Sequence, residues 1–298
     1  MKLLKAIYPP LITPFRNEEI SYEDLKSNLT KYNKFELSGY IVGGSNGETV
    51  FLTKDEKLKL IGSVREHTSS NKQIIAGTGL ESIKSTIELT NTAAEVGADF
   101  ALIVTPHFFQ NEMTHNAFIN YYTAVADKIK IPLIIYNVTK FTGVNISADT
   151  IAKLAEHPNI VGIKNSNNNV DELKQIINTV SNDFCVMAGT GSVLYPAFRA
   201  GAKGGVLALA NVAPAECLEI YNLFNIGKLK EAEQLQSILI PVNKAITATY
   251  GVAGLKAAMD LVGFVGGNPR MPLEPLNENQ KNDLKKTLTK ASLIKLRN

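Results

Sequence analysis

Residues 160–166 read IVGIKNS, and their first four, IVGI, are apolar on both faces of any strand they could form. Such runs recur in both directions. Downstream lie 184–187 (FCVM) and 205–209 (GVLAL); upstream lie 132–136 (PLIIY), 99–104 (DFALIV), 73–76, 39–42 (GYIV) and 7–12. A strand with one wet face alternates apolar and polar residues, whereas parallel sheets bury both faces under their crossover helices and give continuous runs. Segments of helical period separate the runs. Ser21 caps a segment with Leu25, Leu29 and Tyr32 on one face; Thr53 and Glu56 form a capping box ahead of Leu60, Ile61 and Val64. The next helix is predicted from about Ser82 with Ile83, Ile87 and Ala94 on one face, and others near 114–127, 147–156, 170–179 and 192–200.

Eight strand–helix units predict an α/β fold, the closed (β/α)8 TIM barrel. A doubly wound sheet usually has fewer strands and a glycine-rich turn after the first, where this chain is proline-rich. The GTG fragments at 77–79 and 189–191 are too short for a dinucleotide fingerprint and read as tight turns. After about residue 227 the alternation yields to amphipathic helices, broken by a loop with Pro269, Pro272 and Pro275. The expected organisation is a barrel carrying the active site over 1–227 and a C-terminal helical extension, 228–298, packed on it.

A chain of 298 residues can bury a core that needs no disulfide or structural metal. Its 31 basic and 28 acidic residues are interspersed, so neither nucleic acid nor an anionic membrane is an expected partner. Cys185 and Cys217 lack CxxC spacing and read as buried free thiols of a reducing compartment. The start has Lys2 and Lys5, but Pro9 and Pro10 interrupt its apolar run, and no stretch approaches the ~20 residues of a membrane span. A cytoplasmic location is the expectation.

Barrel enzymes carry their chemistry at the C-terminal ends of strands. Those positions hold Ser45, Asn46 and Glu48 after the second run, Thr105 and His107 after the fourth, Tyr136 and Asn137 at the fifth, and Lys164 and Ser166 after the sixth. A lysine leaving a buried strand is the most informative of these. Apolar walls disfavour an ammonium, and the free amine they favour can attack a ketone. From position alone Lys164 could equally be a rim lysine reaching for water. A phenol at Tyr136, on the neighbouring strand, could shuttle protons; a rim tyrosine bonded to a carbonyl is the plainer reading. The 43–48 turn, GGSNGE, offers backbone N–H groups and the Ser45 hydroxyl to a carboxylate, or is an ordinary turn. The four histidines, His67, His107, His115 and His157, show no HxH or HExxH spacing, so no metal is expected.

Taken together, GGSNGE at 43–48, VTPHFF at 104–109, YNVTKFTG at 136–143, GIKNS at 162–166 and GVLALANV at 205–212 resemble the signature stretches of the dihydrodipicolinate synthase / N-acetylneuraminate lyase family. The similarity runs from the first strand to about Pro275, in order and spacing. It implies a metal-free class I aldolase that needs no cofactor beyond a covalent imine with a 2-oxo acid such as pyruvate, and an aldehyde as second substrate. By position it implies Lys164 as the Schiff-base lysine, Tyr136 as the proton-transferring tyrosine, Ser45 and Asn46 at the 2-oxo acid carboxylate, and Leu207 as a strand-eight residue offering its backbone to pyruvate. Ser166 and Gly189 are expected beside the bound substrate. Self-association as a dimer or tetramer, with the loop around Phe108 near a subunit contact, is also implied.

Two departures bear on the aldehyde. Phe141 stands where the resemblance implies an arginine for the second carboxylate, and Phe108 where it implies a relay tyrosine; phenylalanine can do neither. With GSNGE, GIKNS, ALANV and MPLEPL, these departures resemble the 4-hydroxy-2-oxoglutarate aldolase branch, so cleavage of a 4-hydroxy-2-oxo acid is the leading expectation. Dihydrodipicolinate synthase, with Lys140 replacing the arginine, is the alternative. A sugar-acid dehydratase and a non-catalytic ligand-sensing barrel stand behind both.

Overall fold

The computed structural model describes residues 4–295; Lys2 and residues 296–298 lie outside them. Among the described residues, eight parallel strands form one sheet: β1 (Ala6–Tyr8), β2 (Gly39–Val42), β3 (Gln73–Gly77), β4 (Phe100–Val104), β5 (Leu133–Asn137), β6 (Ile160–Asn165), β7 (Cys185–Ala188) and β8 (Gly204–Val206). β8 pairs back onto β1, with Ala6 opposite Gly204. The last gap closes where the Leu11 N–H donates to the Ile41 carbonyl (2.9 Å) and the Ile41 N–H to the Pro9 carbonyl (3.1 Å). This is the expected (β/α)8 barrel.

Local chemistry starts the helices. Ser21, Thr53, Ser82, Thr114, Ser147 and Asn169 each accept a first-turn backbone N–H, satisfying donors that have no partner inside the helix. The Thr53–Glu56 capping box is complete in both directions.

Side chains alternate along the strands between two cores. On β5, Leu133 and Ile135 face the helices, while Ile134 and Tyr136 face the barrel interior with Tyr8, Ile41, Ile75, Leu102 and Met187. Both cysteines are buried and free; burial pushes the Cys185 thiol up to about 12 and Cys217 further, leaving both protonated and inert.

Several boundaries differ from expectation for physical reasons. β1 ends at Tyr8 because Pro9 and Pro10 have no N–H to give the sheet. β6 continues through Lys164 and Asn165, so Lys164 lies within the strand. The helix Ile83–Glu95 turns Thr86, Leu89, Thr90 and Ala93 inward, and Ile83 is 38% exposed. Its buried threonines are bonded, Thr90 to Thr78 (2.7 Å) and Thr86 to Tyr121 (2.9 Å), so polar residues occupy the inner face.

Beyond residue 227 lie the helices Leu229–Lys244, Gly251–Leu261 and Glu278–Lys290. The first two are joined by a π-helical turn, Ala245–Thr249, four residues after Pro241, which withholds one ladder hydrogen bond. Leu239, Val242, Leu255, Met259, Leu284 and Leu288 are buried. No helix among the described residues is long and apolar enough to cross a membrane. Truncating fully buried Leu284 to Ala is expected to destabilise by about 2–5 kcal/mol and to lower the melting temperature of one cooperative transition. Calorimetry resolving a separate early transition, with the main one unmoved, would show the extension to be an independent unit.

Candidate active site

Tyr136 and Lys164 are opposite one another in the β5–β6 register, so both side chains enter the barrel mouth on the same side. Lys164 is only 4% exposed, and its Nζ sits 3.8 Å from the centroid of the Tyr136 ring. The Tyr136 hydroxyl lies 3.2 Å from the Ser45 hydroxyl. The amine thus lies against the face of the ring whose hydroxyl meets the Ser45 alcohol. Asparagines lock the ends of both strands: the Asn137 amide donates to Asn145 (2.7 Å) and Asn165 (3.1 Å), and that of Asn165 to Glu172 (3.3 Å).

Ser45 follows β2 in a tight turn, Ser45–Gly47, whose approach is set by sterics. Gly43 has φ +70°, and a Cβ on Gly77 would stand 2.1 Å from the Gly43 carbonyl oxygen, so β2 and β3 meet there through glycine alone. The Gly47 carbonyl then accepts the buried Thr13 hydroxyl at 2.7 Å.

Lys164 opens into a cavity of about 140 Å³ that Asn46, Ser166 and Gly189 also line, together with Asn168 and Thr190. No carboxylate lines it, and Lys140 supplies a second cation. A site with two amines, several neutral donors and no acid suits an anionic substrate. A Cβ on Gly189 would fall 2.1 Å from the Ser166 hydroxyl, so glycine is needed for that wall to close up.

Leu207, expected to offer its backbone to the substrate, directly follows β8. It is wholly buried, and its N–H donates to the Tyr8 carbonyl (3.1 Å); Val206 and Ala208 line the cavity on either side of it. Val206 ends β8 and faces the interior, so it is the strand-eight residue at the site. The roof was not foreseen at all: Ile246, Thr247 and Ala248 of the π turn, with Val252, cover the mouth. The interruption of the helix turns the Thr247 carbonyl towards Lys140, whose Nζ donates to it at 2.7 Å. Pro241 was the one signal in the sequence.

Tyr136, Val138 and Phe141 separate this cavity from a larger apolar one of about 370 Å³, bounded by Leu102, Val104 and Leu273. Phe141 is 56% exposed and touches both. His107 lines the larger cavity, bonded through Nδ1 to Glu81 (3.0 Å). Phe108, 76% exposed, packs edge-on against Phe109 and lines neither cavity of its own chain. Thr105 is buried and lines neither.

A buried lysine beside a tyrosine at the mouth of a (β/α)8 barrel is the layout of an imine-forming lyase. The dihydrodipicolinate synthetase family model matches residues 3–291, and the chain belongs to that family. The 4-hydroxy-tetrahydrodipicolinate synthase of Methanothrix thermoacetophila is 33% identical over 97% of this chain and 98% of its own. The dihydrodipicolinate synthase of Aquifex aeolicus superimposes with a TM-score of 0.92 at 31% identity, covering 97% of this chain and 99% of that one. That of Thermotoga maritima superimposes with a TM-score of 0.94 at 27% identity, covering 98% and 100%. The protein is accordingly a pyruvate-dependent class I lyase; the family works through a lysine Schiff base without an external cofactor.

Proposed function

We propose that Lys164 is the Schiff-base lysine, that Tyr136 with Ser45 moves protons to and from the adduct, and that the Ser45–Asn46 turn holds the carboxylate of pyruvate. The observation that carries this reading is the cavity with Lys164 buried against Tyr136 and no acid among its lining residues. The amine adds to the C2 carbonyl and water leaves as the imine forms. Loss of a C3 proton gives an enamine, whose carbon attacks the aldehyde; hydrolysis then frees the product and the lysine. Cleavage runs the same steps backwards.

For the overall reaction, the name borne by the curated relatives gives the first reading, 4-hydroxy-tetrahydrodipicolinate synthase, condensing pyruvate with aspartate semialdehyde. Cleavage of a 4-hydroxy-2-oxo acid, the leading expectation from the sequence, stands second to it. One observation favours this second reading: Phe141, not a cation, forms the wall where the resemblance implies an arginine. Losing a charge-assisted bond to a desolvated carboxylate costs on the order of 1.5–3 kcal/mol. Lys140, on the same rim, is the one side chain there that can restore it by leaving Thr247.

Borohydride with pyruvate is expected to label Lys164 in the wild type and in Tyr136→Phe, while turnover of the variant falls by about 10²–10⁴. Label on another lysine, or turnover within a factor of about two, would sink these assignments. Rates of condensation with aspartate semialdehyde and of 4-hydroxy-2-oxo acid cleavage, in wild type and Lys140→Ala, decide between the two reactions. Efficient condensation that collapses in Lys140→Ala identifies the synthase; weak condensation beside measurable cleavage identifies the aldolase.

We further propose that the barrel self-associates as a dimer or tetramer through the loop around Phe108, where Phe108 and Phe109 pack together and are each more than half exposed. Sedimentation is expected to show an oligomer that Phe108→Asp disperses. A fully active wild-type monomer at working concentration would refute this.

A further inference from the structure

One buried ion pair takes no part in the chemistry above. Glu48 and Lys256 have side chains 1% and 0% exposed, and their Oε1 and Nζ atoms are 2.5 Å apart. Lys256 belongs to the helix Gly251–Leu261 of the extension, and Glu48 directly follows the Ser45–Gly47 turn. Further contacts reach both side chains. The Arg270 N–H donates to Glu48 Oε2 (2.8 Å), and Lys256 Nζ donates to the Asn268 carbonyl (2.9 Å) while lying 4.4 Å from the centroid of the Phe15 ring. Burial lowers the Lys256 ammonium from its ordinary range, and the Glu48 carboxylate opposes that fall.

Stability alone is a poor reason for such a pair, since well-packed apolar residues of the same volume often do as well. The backbone supplies a better one. Glu48 has φ 56° and ψ 36°, a left-handed conformation that a side-chain-bearing residue keeps only when its surroundings hold it there. It ends the 45–47 turn and begins the next, Thr49–Phe51. The turn is therefore pinned through Thr13 at Gly47 and through Lys256 and Arg270 at Glu48, while Ser45 is left facing Tyr136.

We infer that the Glu48–Lys256 pair is a positioning device, holding Glu48 left-handed so that Ser45 and Asn46 meet the 2-oxo acid carboxylate. Neither residue lines the cavity of Lys164; Glu48 lines the larger cavity beside it, as Ser45 does, so the pair acts on affinity for the 2-oxo acid through the turn. The inference rests on the proposed role of the Ser45–Asn46 turn.

The test measures borohydride trapping of pyruvate on Lys164 as a function of pyruvate concentration, alongside thermal melts. In Lys256→Met, half-saturating pyruvate is expected to rise about tenfold, with the limiting trapping rate within about threefold of wild type. This variant also strands a buried carboxylate and should melt earlier. Glu48→Gln/Lys256→Met removes both charges at similar volume: its melting temperature should recover while half-saturation stays raised. A purely structural pair would give the opposite, with half-saturation returning together with stability, and that result overturns the inference while leaving the imine mechanism standing. Failure of the double variant to fold also overturns it, because the pair would then serve the fold and not the turn. No adduct on Lys164 in the wild type would refute the reading of the site itself, and the inference with it.

Discussion

Closure of the sheet is the constraint on which everything else depends. Once β8 pairs with β1, and Pro9–Leu11 bridges to Ile41, strand direction and the inward–outward alternation are fixed all round the ring. Tyr136 then has one place to go, the inner face at the C-terminal end of β5, and Lys164 must stand beside it on β6. The two side chains proposed to react are thus held by backbone pairing and not by loops. Their proximity survives whatever the surrounding loops do, which is what covalent chemistry needs from its scaffold.

How much of this is legible in the chain follows from the kind of signal each part leaves. Strands buried on both faces announce themselves as unbroken apolar runs, so the barrel and its order could be read directly. The same uniformity hides their phase. In GVLAL nothing marks that Val206 turns its side chain inward and Leu207 turns its own towards the helices. Thr86 and Thr90 are hidden for a related reason: hydrogen bonds let them occupy an inner face that hydropathy assigns to Ile83. Lys164 and Tyr136 were visible because a polar residue ending a buried strand is conspicuous. The roof was not, because an amphipathic helix states that it docks but not against what. Glu48 was noticed as an acid in a glycine-rich turn, yet its partner comes from the far end of the chain.

The electrostatics divide the mouth of the barrel into two unlike parts. Acids such as Glu48 and Glu172 sit just outside the imine cavity, committed to Lys256 and to the asparagine network, while the cavity itself keeps only cations and neutral donors. An anion entering meets no repulsion and no competing carboxylate for the lysine. Across Tyr136 the character changes to hydrocarbon, with Phe141 belonging to both sides. On the proposed reading, the far end of the second substrate meets that boundary.

The π turn at Ala245–Thr249 amounts to one residue more than a regular helix would hold. The chain then leaves helical geometry altogether, with Tyr250 between the two helices and Gly251 at φ 57°. The break therefore frees the second helix from the direction of the first, so that the widened turn roofs the cavity while the next helix carries Lys256 to Glu48.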